Sequence, residues 1–82
     1  MTGCVAERVG GIVILAATNI TLSGVHRTLG TLPEGFCPRS TAYGTIEYGG
    51  TAGYVEVTPN GTVSAKAAGS GDYSGQVVYA VA

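Results

Sequence analysis

This chain of 82 residues lacks most of what catalytic and nucleic-acid-binding domains are built from. It has no tryptophan, one phenylalanine, one histidine and two cysteines, with four basic and five acidic residues. Charged residues make up 11%, against roughly 25% in ordinary soluble domains. A net charge of −1 provides no basic face to neutralise phosphates, which argues against a nucleic-acid partner. It equally provides no polybasic patch for an anionic membrane surface. Cys4 and Cys37 permit one bridge at most, so two reduced thiols in a protein made in a cytoplasm are expected. One histidine and two cysteines at unrelated spacings do not make a zinc site, and no cofactor is expected. The longest apolar run, "IVILAA" from Ile12 to Ala17, is far too short to cross a bilayer. The opening "MTGCVAERVGG" lacks the charged segment and apolar core of a secretory leader. Without that leader the Asn-x-Thr sequons at Asn19 and Asn60 read as coincidental.

What is present is apolar and β-forming. Hydrophobic residues reach 45% and mean hydropathy is +0.32. A single domain of residues 1–82 buries only about 60–65% of its unfolded surface. With no disulfide framework or metal, oligomerisation is the remaining source of added stability.

Fourteen glycines interrupt every stretch that could carry a helical stripe. Short β-branched runs separated by Gly, Pro, Asn and Ser predict an all-β fold. Strands are expected at Val5–Val9, Ile12–Leu22, Val25–Thr31, Thr41–Tyr48, Gly53–Thr58, Thr62–Ala67 and Gln76–Ala82. "GSGDYSG", Gly69 to Gly75, is expected to be the longest flexible connection.

The hairpin "GYVEVTPNGTVSAKA" is the most explicit of these elements. A three-residue Pro59-Asn60-Gly61 loop pairs Thr58 with Thr62, because Pro59 sets φ for the first turn position and Gly61 supplies a positive φ. That register puts Val57 opposite Val63 and Val55 opposite Ala65 on one face. Glu56 with Ser64, and Tyr54 with Lys66, fall on the other.

The second strand is apolar on both sides. Ile12, Ile14, Ala16 and Ile20 lie on one, and Val13, Leu15 and Ala17 on the other. Either it is covered on both faces inside a sandwich, or its outer face meets other subunits. The interface is the favoured reading.

The acids Glu7, Glu34, Glu47, Glu56 and Asp72 include no pair singled out for glycosidase work. His26, in "SGVHRT", has no serine or cysteine set with it by a local motif. Phosphate-binding glycine motifs are absent, so no catalytic residues are assigned. The tyrosines are the better lead. An exposed tyrosine offers a flat apolar face with a hydrogen-bonding tip, suited to sugars and protein partners alike, although tyrosines also simply flank strands in β-proteins. Asp72 and Tyr73, in the glycine-rich stretch, are the leading ligand-contacting pair. Tyr43, Tyr48 and Tyr54 complete the candidate saccharide-binding set.

"TLPEGFCP", Thr31 to Pro38, gathers two prolines, a glycine, the only phenylalanine and a cysteine. It reads as a corner, with Gly35 closing a turn, Pro38 forcing Cys37 extended, and Leu32 and Phe36 folding inward as plugs.

The order "RVGGIVILAATNIT … TLGTLPEGFCPRS … YVEVTPNGTVSA … SGQVVYAVA" resembles the C-terminal receptor-binding head domains of tail-fibre and baseplate proteins from phages of Gram-positive bacteria. In that family a strand beginning Arg-x-Gly-x-Val-x-Leu leads to a Leu-Pro-x-Gly-Phe-x-Pro connection, then to a Val-x-Val-x-x-x-Gly-x-Val hairpin. The matching residues here are Arg8, Gly10 or Gly11, Val13 and Leu15; Leu32, Pro33, Gly35, Phe36 and Pro38; and Val55, Val57, Gly61 and Val63. The Leu-Pro-x-Gly-Phe-x-Pro element is the most specific part. One departure is Cys37, where the family usually carries Arg or Lys, with Arg39 following the second proline instead.

The resemblance implies a compact antiparallel β-sandwich, jelly-roll-like, forming a homotrimer at a virion tail tip and corresponding to an excised head. It implies binding of host cell-wall polysaccharide or teichoic acid without catalysis, the Ile12–Ala17 strand supplying the trimer contact. The competing expectation is a trimerisation or tip-capping module with no ligand of its own. A glycan-cleaving tip domain is a third, for which the acids are too few.

Overall fold

The computed structural model describes residues 3–81. Seven antiparallel strands and no helix occupy them: β1 (Cys4–Val9), β2 (Ile12–Ser23), β3 (Arg27–Thr31), β4 (Ala42–Tyr48), β5 (Thr51–Val57), β6 (Thr62–Ala67) and β7 (Ser70–Ala80). Each corresponds to an expected strand, although the Ala82 end of the last one lies outside the described residues. Hydrogen bonds join all seven into one curled sheet, ordered β1-β2-β7-β4-β5-β6-β3.

The β5–β6 hairpin has the register that its turn chemistry demands. Val57 pairs with Val63, Val55 with Ala65, Glu56 with Ser64 and Tyr54 with Lys66. Gly61 sits at φ +91°, where a residue with a Cβ is strained. Its N–H donates to the Thr58 carbonyl at 2.8 Å, and the Thr58 N–H donates to the Thr62 carbonyl at 3.0 Å.

One face of the curled sheet encloses the core. Val13, Leu15 and Ala17 from β2 meet Val77 and Tyr79 from β7, Val55 and Val57 from β5, and Val63 and Ala65 from β6. Each fully buried aliphatic side chain there contributes about 1.5–3 kcal/mol relative to exposure.

Ile20 departs from the simple alternation. It lies in the core at 3% exposure, on the Val13 face rather than with Ile12. A register shift between Ala17 and Ile20 along the β2–β7 ladder is the reason. Asn19 takes φ +52° there, as asparagine tolerates, and its N–H donates to Ser74 Oγ at 3.0 Å. The extra residue re-phases the strand, so Ile20 and Leu22 both point inward.

The "GSGDYSG" stretch is also not a loop. Only Ala68 and Gly69 separate β6 from β7, and Ser70 to Gly75 pair with β2. Gly75 has a packing role. A Cβ on Gly75 would collide with the Thr45 carbonyl and Ile46, and one on Gly44 with the Gln76 carbonyl and Val77. These two glycines let β4 and β7 approach where only Ile46↔Gly75 and Glu47↔Ser74 pair. That short ladder joins the β1-β2-β7 half of the sheet to the β4-β5-β6-β3 half.

The corner is tied down from several sides. Pro33 O accepts from Phe36 N–H at 3.1 Å, with Gly35 at φ +92°, the third position of a type II turn. Arg8 Nη1 donates to Gly35 O at 2.7 Å, and the Tyr79 hydroxyl to Phe36 O at 2.5 Å. Leu32 is buried as expected. Phe36 is only half-buried, and Pro38, bridged to Val81, is the residue of the corner fully out of solvent.

Candidate functional site

The backs of β4, β5 and β6 form one outward face whose rows follow from register. Tyr43 lies opposite Glu56, beyond which Ser64 is buried; Thr45 lies opposite Tyr54, which lies opposite Lys66; Glu47 lies opposite Ala52. Side chains of cross-strand partners share a face and touch. The Tyr43 and Tyr54 rings accordingly meet edge to face, with centroids 6.1 Å apart and planes at 63°. Tyr43 is 63% exposed and Tyr54 39%, so two aromatic surfaces face water side by side.

Polar groups frame this pair. The Glu56 carboxylate, on the residue directly across the ladder from Tyr43, holds that phenol above its ordinary pKa, because hydrogen bonding to the protonated hydroxyl and the nearby negative charge both disfavour the phenolate. Lys66 stands beside Tyr54. Next to them is a shallow groove of about 300 Å³, lined by Tyr54, Lys66, Ala52, Ala68, Gly53 and Gly24. Its small walls leave the Tyr54 ring as the one large apolar surface in the groove. Ring stacking, with hydrogen bonds donated by an ammonium and two phenols and accepted by a carboxylate, is the chemistry this face can offer.

The five residues expected to bind ligand fall into three places. Tyr43 and Tyr54 are together on this face. Tyr48 and Tyr73 form a second aromatic pair, with centroids 5.7 Å apart. Tyr48 is half-exposed, and its ring lies against the backbone of Gly71. Tyr73 is a correction: it is fully buried at 0% exposure, and its hydroxyl donates to Gly69 O at 2.9 Å. Because neighbours in a strand point to opposite faces, Asp72 is outward while Tyr73 is in the core, so the two do not form one contact surface. Asp72 is exposed opposite Thr21, accepting that hydroxyl's hydrogen bond at 2.9 Å.

The hairpin register puts Glu56 and Lys66 on the same face as Tyr54, but neither belongs to the expected ligand set. The signal that identifies them was already in the hairpin register, which sets Lys66 directly opposite Tyr54.

Elsewhere, a second cavity of about 420 Å³ lies at the corner, lined by Glu34, Gly35, Cys37, Pro59 and Val81. Cys37 is half-buried and Cys4 buried, and they are not bonded to each other. Burial is the main cause that pushes the Cys4 thiol pKa up. His26 is exposed in the β2–β3 connection. Among the described residues no three His, Cys, Asp or Glu side chains converge on a point where a metal could sit.

The other outward face, on β1, β2 and β7, is aliphatic. Its rows are Val9–Ile12–Ala80, Glu7–Ile14–Val78 and Val5–Ala16–Gln76. Val5, Val9, Ile12 and Val78 are 72%, 63%, 44% and 53% exposed. Within one chain, β2 is therefore covered on its inner face only. No helix among the described residues is long and apolar enough to cross a membrane. No protein-family model, curated protein or solved structure matches this chain.

Proposed function

We propose that this chain is a non-enzymatic receptor-binding head that holds saccharide chains of a bacterial cell surface on the outer face of β4, β5 and β6. The observation that carries the reading is the exposed Tyr43–Tyr54 pair, flanked by Glu56 and Lys66 and bordered by the groove. Sugar rings present apolar C–H faces rimmed by hydroxyls. Exposed phenol rings beside a carboxylate and an ammonium complement both features. In this reading the chain is the tip of a phage tail fibre, and its ligand is cell-wall polysaccharide or teichoic acid. The family resemblance of the Leu-Pro-x-Gly-Phe-x-Pro corner supports the setting; the tyrosine face supports the ligand class. Of the expected ligand set, Tyr54 and Tyr43 remain the binding residues, with Lys66 and Glu56 added. Tyr73 serves the core.

The test is binding of the purified chain to immobilised cell-wall glycans and to intact Gram-positive cells. Parent protein should bind, and Tyr54→Ala should lose most of that binding while melting like the parent. Equal binding by parent and variant would remove this face from the reading.

The second reading, a trimerisation or tip-capping module, is favoured by the aliphatic rows on β1, β2 and β7. Three copies meeting through the Ile12–Ala17 stretch would cover Ile12, Ile14 and Ala16. Trimerisation is compatible with either reading, because the faces are separate; the second reading differs in giving the chain no ligand of its own. Light scattering at micromolar concentration tests the second: a mass of three chains supports it, and a monomer removes it.

A further inference from the structure

Asn60 and Gly61 form the tip of the β5–β6 hairpin. Asn-Gly is the residue pair most prone to spontaneous hydrolysis, because glycine leaves its own amide nitrogen open to the preceding side chain. In the reaction the Gly61 nitrogen gives up its proton and attacks Cγ of Asn60. The new N–Cγ bond closes a five-membered succinimide, the bond from Cγ to the amide nitrogen breaks, and ammonia leaves carrying a proton. Water then opens the ring at either carbonyl, leaving an aspartyl or isoaspartyl residue at position 60. Water is the only co-reactant, and nothing is oxidised or reduced.

The folded turn restrains both reacting groups. The nucleophilic nitrogen is engaged, since Gly61 N–H donates to Thr58 O at 2.8 Å. Gly61 is also buried, and its carbonyl accepts from Leu32 N–H at 2.8 Å. The electrophile is held too. Asn60 Oδ1 accepts from Thr62 N–H at 3.2 Å and from the Thr58 hydroxyl, an Asx-turn arrangement. Ring closure must give up the Gly61 N–H bond and turn the Asn60 side chain out of the orientation these acceptor bonds hold, whereas exposed Asn60 leaves open solvent for departing ammonia and incoming water.

We infer that Asn60–Gly61 is a covalent modification site gated by folding, with succinimide formation held off in the closed turn and released when the turn opens. The products differ in consequence. An aspartyl residue adds one negative charge and keeps the side-chain acceptor for Thr62. An isoaspartyl residue adds a backbone methylene to a three-residue loop whose length sets the pairing of Val57 with Val63. The modified hairpin then weakens from its tip. This inference is independent of the saccharide reading.

The experiment follows the 1-Da mass gain and the isoaspartyl content of the peptide containing Asn60 at pH 8 and 37 °C. The folded chain should react at least about tenfold more slowly than the same chain in urea, the rate factor of one or two hydrogen bonds that must break. Thr58→Val, which keeps the β-branched shape and removes the hydroxyl, should react severalfold faster than the parent while still folded. Asn19, followed by bulky Ile20, serves as the slow internal control. Equal rates in the folded and urea-unfolded chain would overturn the inference. If Thr58→Val does not fold, hydrogen exchange on the parent decides: a Gly61 amide that exchanges as fast as an unstructured one sinks the lock.

Discussion

The two outward faces of this sheet share a backbone and a core but differ in chemistry. On β4, β5 and β6 the outward positions are Tyr43, Thr45, Glu47, Tyr54, Glu56 and Lys66. On β1, β2 and β7 they include Val5, Val9, Ile12, Ile14, Ala16 and Val78, with Glu7 as the charge among those rows. Exposed aliphatics gain by being covered, and polar aromatics gain by contacting a solvated ligand. One face is therefore suited to dry contact with protein, the other to recognition in water. A single small sheet can serve both needs because period-2 alternation keeps its shared core on the inside.

The most disruptive way to break the comparison is at the joint between the halves. Gly75→Val forces a branched side chain into the Thr45 carbonyl and Ile46. It should cost more than about 4 kcal/mol, beyond the roughly 1–3 kcal/mol usual for overpacked cores, because backbone atoms that cannot turn aside stand in the way. A soluble chain with the parental melting midpoint would contradict the close approach of β4 and β7. Next in size is Tyr73→Ala, which should cost about 3–5 kcal/mol in denaturant melts, as for other buried aromatics. Tyr73→Phe, losing only the hydrogen bond to Gly69 O, should cost about 1 kcal/mol. If Tyr73→Phe abolishes saccharide binding with stability unchanged, Tyr73 is a contact residue after all.

Smaller effects separate the faces themselves. Val78→Lys places a charge among the aliphatic rows and should change stability by no more than about 0.5 kcal/mol. It should nevertheless shift the sedimenting mass towards the monomer; a mass identical to the parent's would show that this face is not the contact. Subtlest is Glu56→Gln. Removing the carboxylate beside Tyr43 should lower that phenol's titration towards the ordinary value of about 10, as read by ultraviolet difference spectra. No movement would mean that the carboxylate does not reach the hydroxyl.

Much of this architecture was legible in the residues. The β5–β6 hairpin follows from Pro59-Asn60-Gly61 together with the Val55–Val57 and Val63–Ala65 alternation, because turn type and hydrophobic phase independently demand the same register. The β2 phase was not legible past Ala17. The shift at Asn19 depends on long-range pairing with Ser74, which no local pattern announces. The Gly-Ser composition of Gly69 to Gly75 suggested a loop, yet Gly71 and Gly75 are where Tyr48 and β4 press against β7. Glycine in a strand marks close approach as readily as it marks a turn. That distinction moved Tyr73 from a presumed ligand contact into the core. Tyr54 opposite Lys66 could be read directly, but the Tyr43–Tyr54 contact also needs the β4–β5 register set by the turn at Gly49-Gly50.

The most direct measurement of the two-face division is the affinity of a soluble cell-wall oligosaccharide for Tyr54→Ala and Val78→Lys, measured by calorimetry. A soluble monovalent ligand removes avidity, so loss of oligomerisation cannot mimic loss of a site. The expected result is at least about tenfold weaker binding for Tyr54→Ala, equivalent to 1.4 kcal/mol, with Val78→Lys binding as the parent does. Parental affinity in Tyr54→Ala, or an equal loss in both variants, would contradict the division of labour between the faces.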